Sequence, residues 1–413
     1  MIINRVASRS IFDTRERPTV ETTLTSGPIA ATASVPSGES TGSHEALELR
    51  DADGGVRGAV ANVNGEITRA IAGRDFSSAD ELDSLLIALD GTPNKSRLGA
   101  NAILSVSIAA QRLFAASDGL LLWRAIRNRA KTSFPSEVTI RKPEAPRLFI
   151  NIMEGGAHAE FHLDKLGASK LPFQEYLLVV EGTMGTAFPI AQEAFAKIGE
   201  RLGPDTPMGD EGGYAPIFDT LEKPFELLAD IVTEFPGTSI AIDAAASELF
   251  HDGHYQLLDR SYAPDDLLAL YRELVERFPI HSIEDPFFEN AGSDFARLTA
   301  ALEGKALVVG DDFTVTNPTR IEAAAREKQI NAVIIKPNQI GTVEEALAAV
   351  QKATAAGLKI IASHRGEETH DTFIADFAYG IGAHAIKAGG LGQRERIEKY
   401  DRLRAIEREA ESV

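Results

Sequence analysis

The chain has 413 residues, 44% hydrophobic and 25% charged, which suits a globular protein of one large domain plus a smaller one. A formal net charge of -19 argues against a nucleic-acid binder, which needs a basic face, and the absence of cysteine excludes disulfides, thiolate metal sites and thiol nucleophiles. The first residues lack the apolar core of a signal peptide and no apolar run approaches the roughly 18 residues of a membrane span, so a cytoplasmic protein without a membrane partner is expected.

Residues 1–125 read as an α+β unit. VETTLTSGPIAATASVP carries strands separated by turn residues and leads into a glycine-rich loop, PSGESTGSHE. The stretch Asn101 to Ala116 is apolar on most sides, as in a buried helix. KTSFPSEVTIRKPEAP then breaks regularity with three prolines, so residues 126–146 are expected to be a linker.

From residue 147 to 413 short apolar runs alternate with helices. SIAID, PIHSIED, ALVVGDD, AVIIKPN, KIIASHR and AHAIKAG each read as a buried strand that ends in a polar residue. The terminal residues are Asp243, Glu284, Asp311, Lys336, His364 and Lys387, separated by 41, 27, 25, 28 and 23 positions. Each gap accommodates a helix and the next strand. Thr342 to Glu345 reads as a capping box, Gly357 closes that helix, and Asn317-Pro318 opens another. Repeated βα units predict a parallel sheet, open or closed into a barrel. No glycine fingerprint follows a first strand, which favours the barrel, with chemistry at the C-terminal strand ends.

Three carboxylates at one barrel mouth, Asp243, Glu284 and Asp311, repel one another unless a hard divalent cation joins them, and all-oxygen ligation points to magnesium or manganese. Lys336 and Lys387 sit at later strand ends, where a metal and a second ammonium would lower a lysine pKa enough for it to act as a base. A lysine base beside magnesium suits removal of a proton next to a carboxylate. GDEGGYAP places Glu211 in a glycine-framed turn, where it could protonate a departing hydroxide. PSGESTG and the stretch from His158 to Glu175 could each close over a ligand.

The strings VPSGESTGSHEALELRD, NAILSVSIA, GDEGGYAP, IDAAASELF, SIEDPF, GDDFTVTNPTRI, IIKPNQIGT and HRGEETHDTFIAD closely resemble the enolase family and cover nearly the whole chain in the family's order. The resemblance implies an N-terminal α+β lid domain and a modified eight-fold α/β barrel, a TIM-like fold. It implies one magnesium ion on Asp243, Glu284 and Asp311 and a second reached by Ser40. Lys336 would take the α-proton of 2-phosphoglycerate, and Glu211, helped by Glu175, would assist departure of the β-hydroxyl. Lys387 would meet the substrate carboxylate, Arg365 the phosphate, and His158 and His364 would line the pocket. The reaction would be the reversible dehydration that gives phosphoenolpyruvate, in a homodimer or dimer-based octamer.

The departures gather at the phosphate end and the lids. HRGEET stands where the family reads HRSGET, so Gly366 replaces a phosphate-binding serine and Glu367 adds negative charge nearby. Losing one hydrogen bond to a charged group costs roughly 1.5–3 kcal/mol. Glu154-Gly155-Gly156 replaces NGG, Glu39 replaces an alanine, the His158–Glu175 stretch is longer, KAGGLGQRER replaces KTGAPxRSER, and TRERPT replaces SRGNPT. These changes motivate a second reading, a paralogue acting on another phospho- or phosphono-carboxylate in the manner of carboxyphosphonoenolpyruvate synthase. A third is a non-catalytic binding protein on the same frame, against which the retained metal and proton-transfer residues argue.

Overall fold

The computed structural model describes residues 1–38, 42–134, 139–156, 158–159 and 171–412. The chain begins with an antiparallel meander of β1 (Arg5–Phe12), β2 (Pro18–Ser26) and β3 (Ile29–Ser34). The helix Ala100–Ser117 lies across β2 and β3 and is buried along most of its length, as its apolar sequence requires. A buried hydroxyl pair, Thr22 Oγ1 to Ser105 Oγ at 2.7 Å, ties helix to sheet.

Residues 126–133, at the start of the stretch read as a linker, are the greater part of the helix Leu122–Ser133. That helix packs on Phe373–Ile381 of the second half of the chain, with Trp123 edge-on to Tyr379 at 5.1 Å between ring centroids. Three prolines mark only the stretch after it, and the helix itself is stabilised by tertiary burial.

The remaining strands close into a barrel in the order β10-β11-β12-β13-β14-β4-β5-β6. They are β4 (Arg147–Glu154), β5 (Glu175–Val180), β6 (Thr238–Asp243), β10 (Ile280–Glu284), β11 (Leu307–Gly310), β12 (Ala332–Ile335), β13 (Lys359–Ser363) and β14 (Ala385–Lys387). Between β6 and β10 a small sheet of β7 (Phe250–His251), β8 (His254–Leu257) and β9 (Arg260–Tyr262) stands outside the ring. Phe149, Leu177, Val179, Ala241, Val309, Ala332, Ile334, Ile361 and Ala385 form a cluster separate from the main core, the packed plug that a barrel of this size needs.

One strand breaks the expected parallel pattern. β5 runs antiparallel to both β4 and β6, with Glu175 opposite Glu154 and Asp243. Because it pairs antiparallel with both neighbours, β5 starts at the end of the barrel where they finish. This reversal brings Glu175, at the beginning of a strand, level with residues at the ends of others. Two long helices, Met184–Leu202 and Lys223–Glu234, then flank the GDEGGYAP segment.

The capping signals are realised. Thr342 Oγ1 accepts the Glu345 N–H at 3.1 Å, Asn317 Oδ1 accepts those of Thr319 and Arg320, and Gly357 takes φ +73° after its helix.

Candidate active site

Asp243, Glu284 and Asp311 come from the ends of the adjacent strands β6, β10 and β11, and all are buried. Asp243 and Glu284 are direct register partners. Lys387, at the end of β14, places Nζ 2.9 Å from Asp243 Oδ2 and 3.0 Å from Glu284 Oε1, and also pairs with Glu175. Lys336 follows β12 and pairs with Asp311 Oδ2. Gln339 adds a bond from Nε2 to Asp311 Oδ1 at 2.9 Å, which sequence reasoning did not single out although IIKPNQIGT contains it.

Asp285 answers why β10 ends in two acids. Glu284 faces the mouth, whereas Asp285 accepts the backbone N–H of Asp311 at 3.0 Å and of Asp312 at 2.7 Å. It does so at φ +40°, a strained value for an aspartate, and it shapes the turn that presents Asp311.

The donor set fits a hard divalent cation. It is all carboxylate, it is buried, and its charges are close enough that two ammonium groups are drawn into it. Burial, and next the Asp243 charge, raise the Glu284 carboxyl well above its usual range. The lysines show the converse. Burial alone would lower both, but Asp311 beside Lys336, and Asp243, Glu175 and Glu284 around Lys387, raise them. The sequence reading relied on a metal and a second ammonium to lower Lys336; in the protein alone the neighbouring carboxylates act on it directly and raise it.

Across the mouth lies an acid cluster. Glu175 and Glu211 share the Asn151 amide, whose Nδ2 is 3.0 Å from Glu175 Oε1 and 3.4 Å from Glu211 Oε2. His364 Nε2 lies 3.3 Å and His158 Nδ1 3.8 Å from Glu211. His158, Glu175 and Glu211 each bring one possible ligand atom within 4.8 Å of the others. Burial raises Glu175 well above its usual range, even against Lys387. Burial also acts to raise Glu211, but His364 and His158 outweigh it and hold it well below. One carboxyl thus tends to keep a proton while its neighbour stays ionised. Burial pushes His364 down to about 4. Arg396 donates to His364 Nδ1, so the neutral ring carries its proton on Nε2, facing Glu211.

Arg365 is buried beside these groups. Its Nη1 is 2.7 Å from Glu45 Oε2 and 3.2 Å from Asn338 Oδ1. Gly38 lies against this guanidinium, which a Cβ at that position would displace. Ser40 and Glu39, and most of the stretch between His158 and Glu175, lie outside the described residues. The other predicted site residues line one cavity or contact its lining.

The family model described as "Enolase, N-terminal domain" matches residues 3–126, and "Enolase, C-terminal TIM barrel domain" matches residues 144–413. The chain belongs to the enolase family. It is 40% identical to a protein named Enolase from Methanopyrus kandleri, over 97% of this chain and 94% of that one. It is likewise 40% identical to Enolase from Thermococcus gammatolerans, over 100% and 96%. With Enolase 1 from Methylococcus capsulatus it shares 42% identity over 98% and 96%. Enolases are lyases of the phosphopyruvate hydratase type, metal-dependent and acting on a small phosphorylated substrate. This breadth of similarity does not favour the paralogue reading.

Three of the departures from the enolase pattern, at Arg17, Glu367 and Glu154, have structural partners among the described residues. Glu367 is ion-paired with Arg17, which belongs to the other altered string, TRERPT. Burial pushes the Glu367 carboxyl up to about 6. Its backbone bonds both ways with Ser37, at 2.9 and 3.0 Å, at the base of the glycine-rich loop. Gly366 gives its carbonyl to Arg396 Nη2 at 2.8 Å. Of the glycines framing Glu211, Gly212 takes φ +79°, whereas Gly209 and Gly213 leave room for the Glu154 carboxyl.

Proposed function

We propose that this enolase catalyses the magnesium-dependent, reversible dehydration of 2-phospho-D-glycerate to phosphoenolpyruvate. The carrying observation is the placement of Lys336 and Glu175 in the ring. β12 and β5 stand four places apart in a circle of eight strands, so the lysine and the Glu175–Glu211 pair face each other across one cavity. A base on one side and a proton donor on the other suit removal of an α-proton and a β-hydroxyl from opposite faces of a substrate.

Asp243, Glu284 and Asp311 would hold the ion, with Ser40 assigned to a second on resemblance alone. When bound, magnesium supplies positive charge that offsets these carboxylates and the charge developing on the substrate carboxylate. Lys336 takes the α-proton at Nζ once its ammonium has left Asp311 and lost its own proton. The proton held by Glu175 passes to the Glu211 carboxylate, and Glu211 gives it up to the departing hydroxyl, which leaves as water. Lys387 meets the substrate carboxylate. Arg365 exchanges Glu45 for the phosphate, and His158 and His364 line the pocket and orient Glu211.

In this reading residues 1–125 form the lid-bearing unit and the barrel carries the site. The protein works in the cytoplasm as a homodimer or a dimer-based octamer. Among the described residues no helix is long and apolar enough to cross a membrane.

The test is to mix purified protein with 2-phosphoglycerate, with and without magnesium, and follow the ultraviolet absorbance of phosphoenolpyruvate. Magnesium-dependent turnover supports the reading. Absence of turnover with magnesium still bound would redirect it to other phospho-carboxylates.

A further inference from the structure

Glu154 ends β4, is fully buried, and has no part in the roles above. Its two carboxyl oxygens hold the turn that carries Glu211. Oε2 accepts the Glu211 N–H at 2.9 Å and Oε1 accepts the Gly213 N–H at 2.5 Å. Its own backbone N–H donates to Tyr214 O at 2.8 Å, so the segment after Glu211 is laid alongside β4.

The surrounding sequence is built to admit this carboxyl. A Cβ on Gly209 would run into Glu154 Oε2, and one on Gly213 would lie 2.9 Å from Oε1. The family's asparagine would be one methylene shorter and would offer one acceptor oxygen instead of two. Three residues earlier on the same strand, Asn151 holds the Glu211 side chain. β4 therefore grips Glu211 twice, by backbone and by carboxylate. Burial and the adjacent Glu211 charge raise Glu154 well above the usual carboxyl range, while Glu211 is held low.

We propose that Glu154 is a positioning residue for Glu211, fixing the GDEGG turn so that the Glu211 carboxylate sits where the β-hydroxyl of the substrate departs. The assignment rests on the dehydratase reading. It predicts that Glu154 serves the hydroxyl-loss step and not the α-proton step, since Lys336 stands on the far side of the ring.

The experiment compares unaltered protein with Glu154→Ala and Glu154→Gln, using magnesium and 2-phosphoglycerate. Three quantities are read: kcat and KM for dehydration, exchange of the substrate α-proton with deuterated water, and the thermal midpoint. Expected for Glu154→Ala is a kcat lower by about 30-fold, with KM and exchange changed by less than about threefold. Glu154→Gln keeps the length but turns an amide N–H₂ toward a backbone donor, and should fall by about tenfold with a near-normal midpoint. Dehydration and exchange falling together in the well-folded Gln variant would overturn the assignment, as would unchanged kcat in both variants. If the unaltered protein neither dehydrates nor exchanges, it is the function reading that fails, and this assignment falls with it.

Discussion

Arg17 and Glu367, 350 residues apart in sequence, form one ion pair at the edge of the phosphate end. Glu367 is buried and Arg17 is half exposed, so the pair neutralises a buried charge next in sequence to Gly366, which lines the cavity. Two departures from the family pattern thus compensate each other. Arg17→Ala should raise KM for 2-phosphoglycerate by about tenfold with kcat within twofold, because it leaves a buried carboxylate unpaired. Adding Glu367→Gln should restore KM. Steady-state kinetics on the single and double variants decide this, and a double variant no better than Arg17→Ala would refute the compensation.

Lys336→Ala should abolish α-proton exchange and lower dehydration by about 10³-fold, the middle of the range for a positioned base. Magnesium binding should survive, since the three carboxylates remain. Isotope exchange in deuterated water and calorimetric titration of magnesium check the two halves separately. Residual exchange at the normal rate would move the base elsewhere.

How much of this was legible in the sequence depends on what hydropathy encodes. The strand-end residues Asp243, Glu284, Asp311, Lys336, His364 and Lys387 were readable because a buried strand is an apolar run and its polar stop is conspicuous. The reversal of β5 was not, because an apolar run such as EYLLVV carries no direction. Nor was the role of Glu154, since its partners are backbone amides 57 and 59 residues away. The helix over Leu122–Ser133 escaped because its stability comes from packing on Phe373–Ile381, which no local pattern reports.

A histidine pair offers a pH prediction away from the mouth. His281 and His384 meet Nε2 to Nε2 at 3.4 Å, and Arg147 Nη1 lies 3.2 Å from His384 Nδ1. Arg147 must donate there, so His384 carries its proton on Nε2 and gives it to His281. Burial, Arg147, His281, Lys359 and Arg141 push His384 down to about 3, and burial and Arg147 lower His281 despite Glu181. The unfolded chain takes up these protons near pH 6.5, while the folded protein resists. Their contribution to stability is therefore full above about pH 6.5 and is lost as pH falls toward the folded values. Between pH 7 and 5 the loss should be roughly 2 kcal/mol for the pair, after allowance for partial exposure. Urea melts at both pH values measure it. His384→Asn keeps an acceptor for Arg147 and should flatten the slope, and an unchanged slope would exclude the pair as its source.

Gly209 tests the space argument without touching a titrating group. A Cβ there meets the Glu154 carboxyl. Gly209→Ala should push that carboxyl off the Glu211 N–H and lower kcat for dehydration by about tenfold, with KM little changed. The Gly212 site differs, since its φ of +79° penalises any side chain through the backbone. Equal effects of alanine at 209 on kcat and on α-proton exchange would mean general damage to the site.

The metal prediction follows from the register. Asp243 lies opposite both Glu284 and Glu175 across neighbouring strands, so three buried carboxyls converge on one corner of the ring and Lys387 is the ammonium between them. One ammonium cannot hold all three ionised, and burial raises Glu175 and Glu284 well above the usual carboxyl range, so the corner lacks the positive charge that would ionise it fully. Magnesium at a hundred times its Kd should therefore stabilise the fold by about 2.7 kcal/mol, and a chelator should remove both this increment and the activity. In Glu284→Gln and Asp243→Asn one repulsive charge is gone and a ligand is weakened. Their midpoints without magnesium should match or exceed that of the unaltered protein, while the rise on adding magnesium should disappear. Scanning calorimetry with magnesium and with chelator gives both numbers. The same magnesium-induced rise in the variants as in the unaltered protein would place the ion away from these carboxylates.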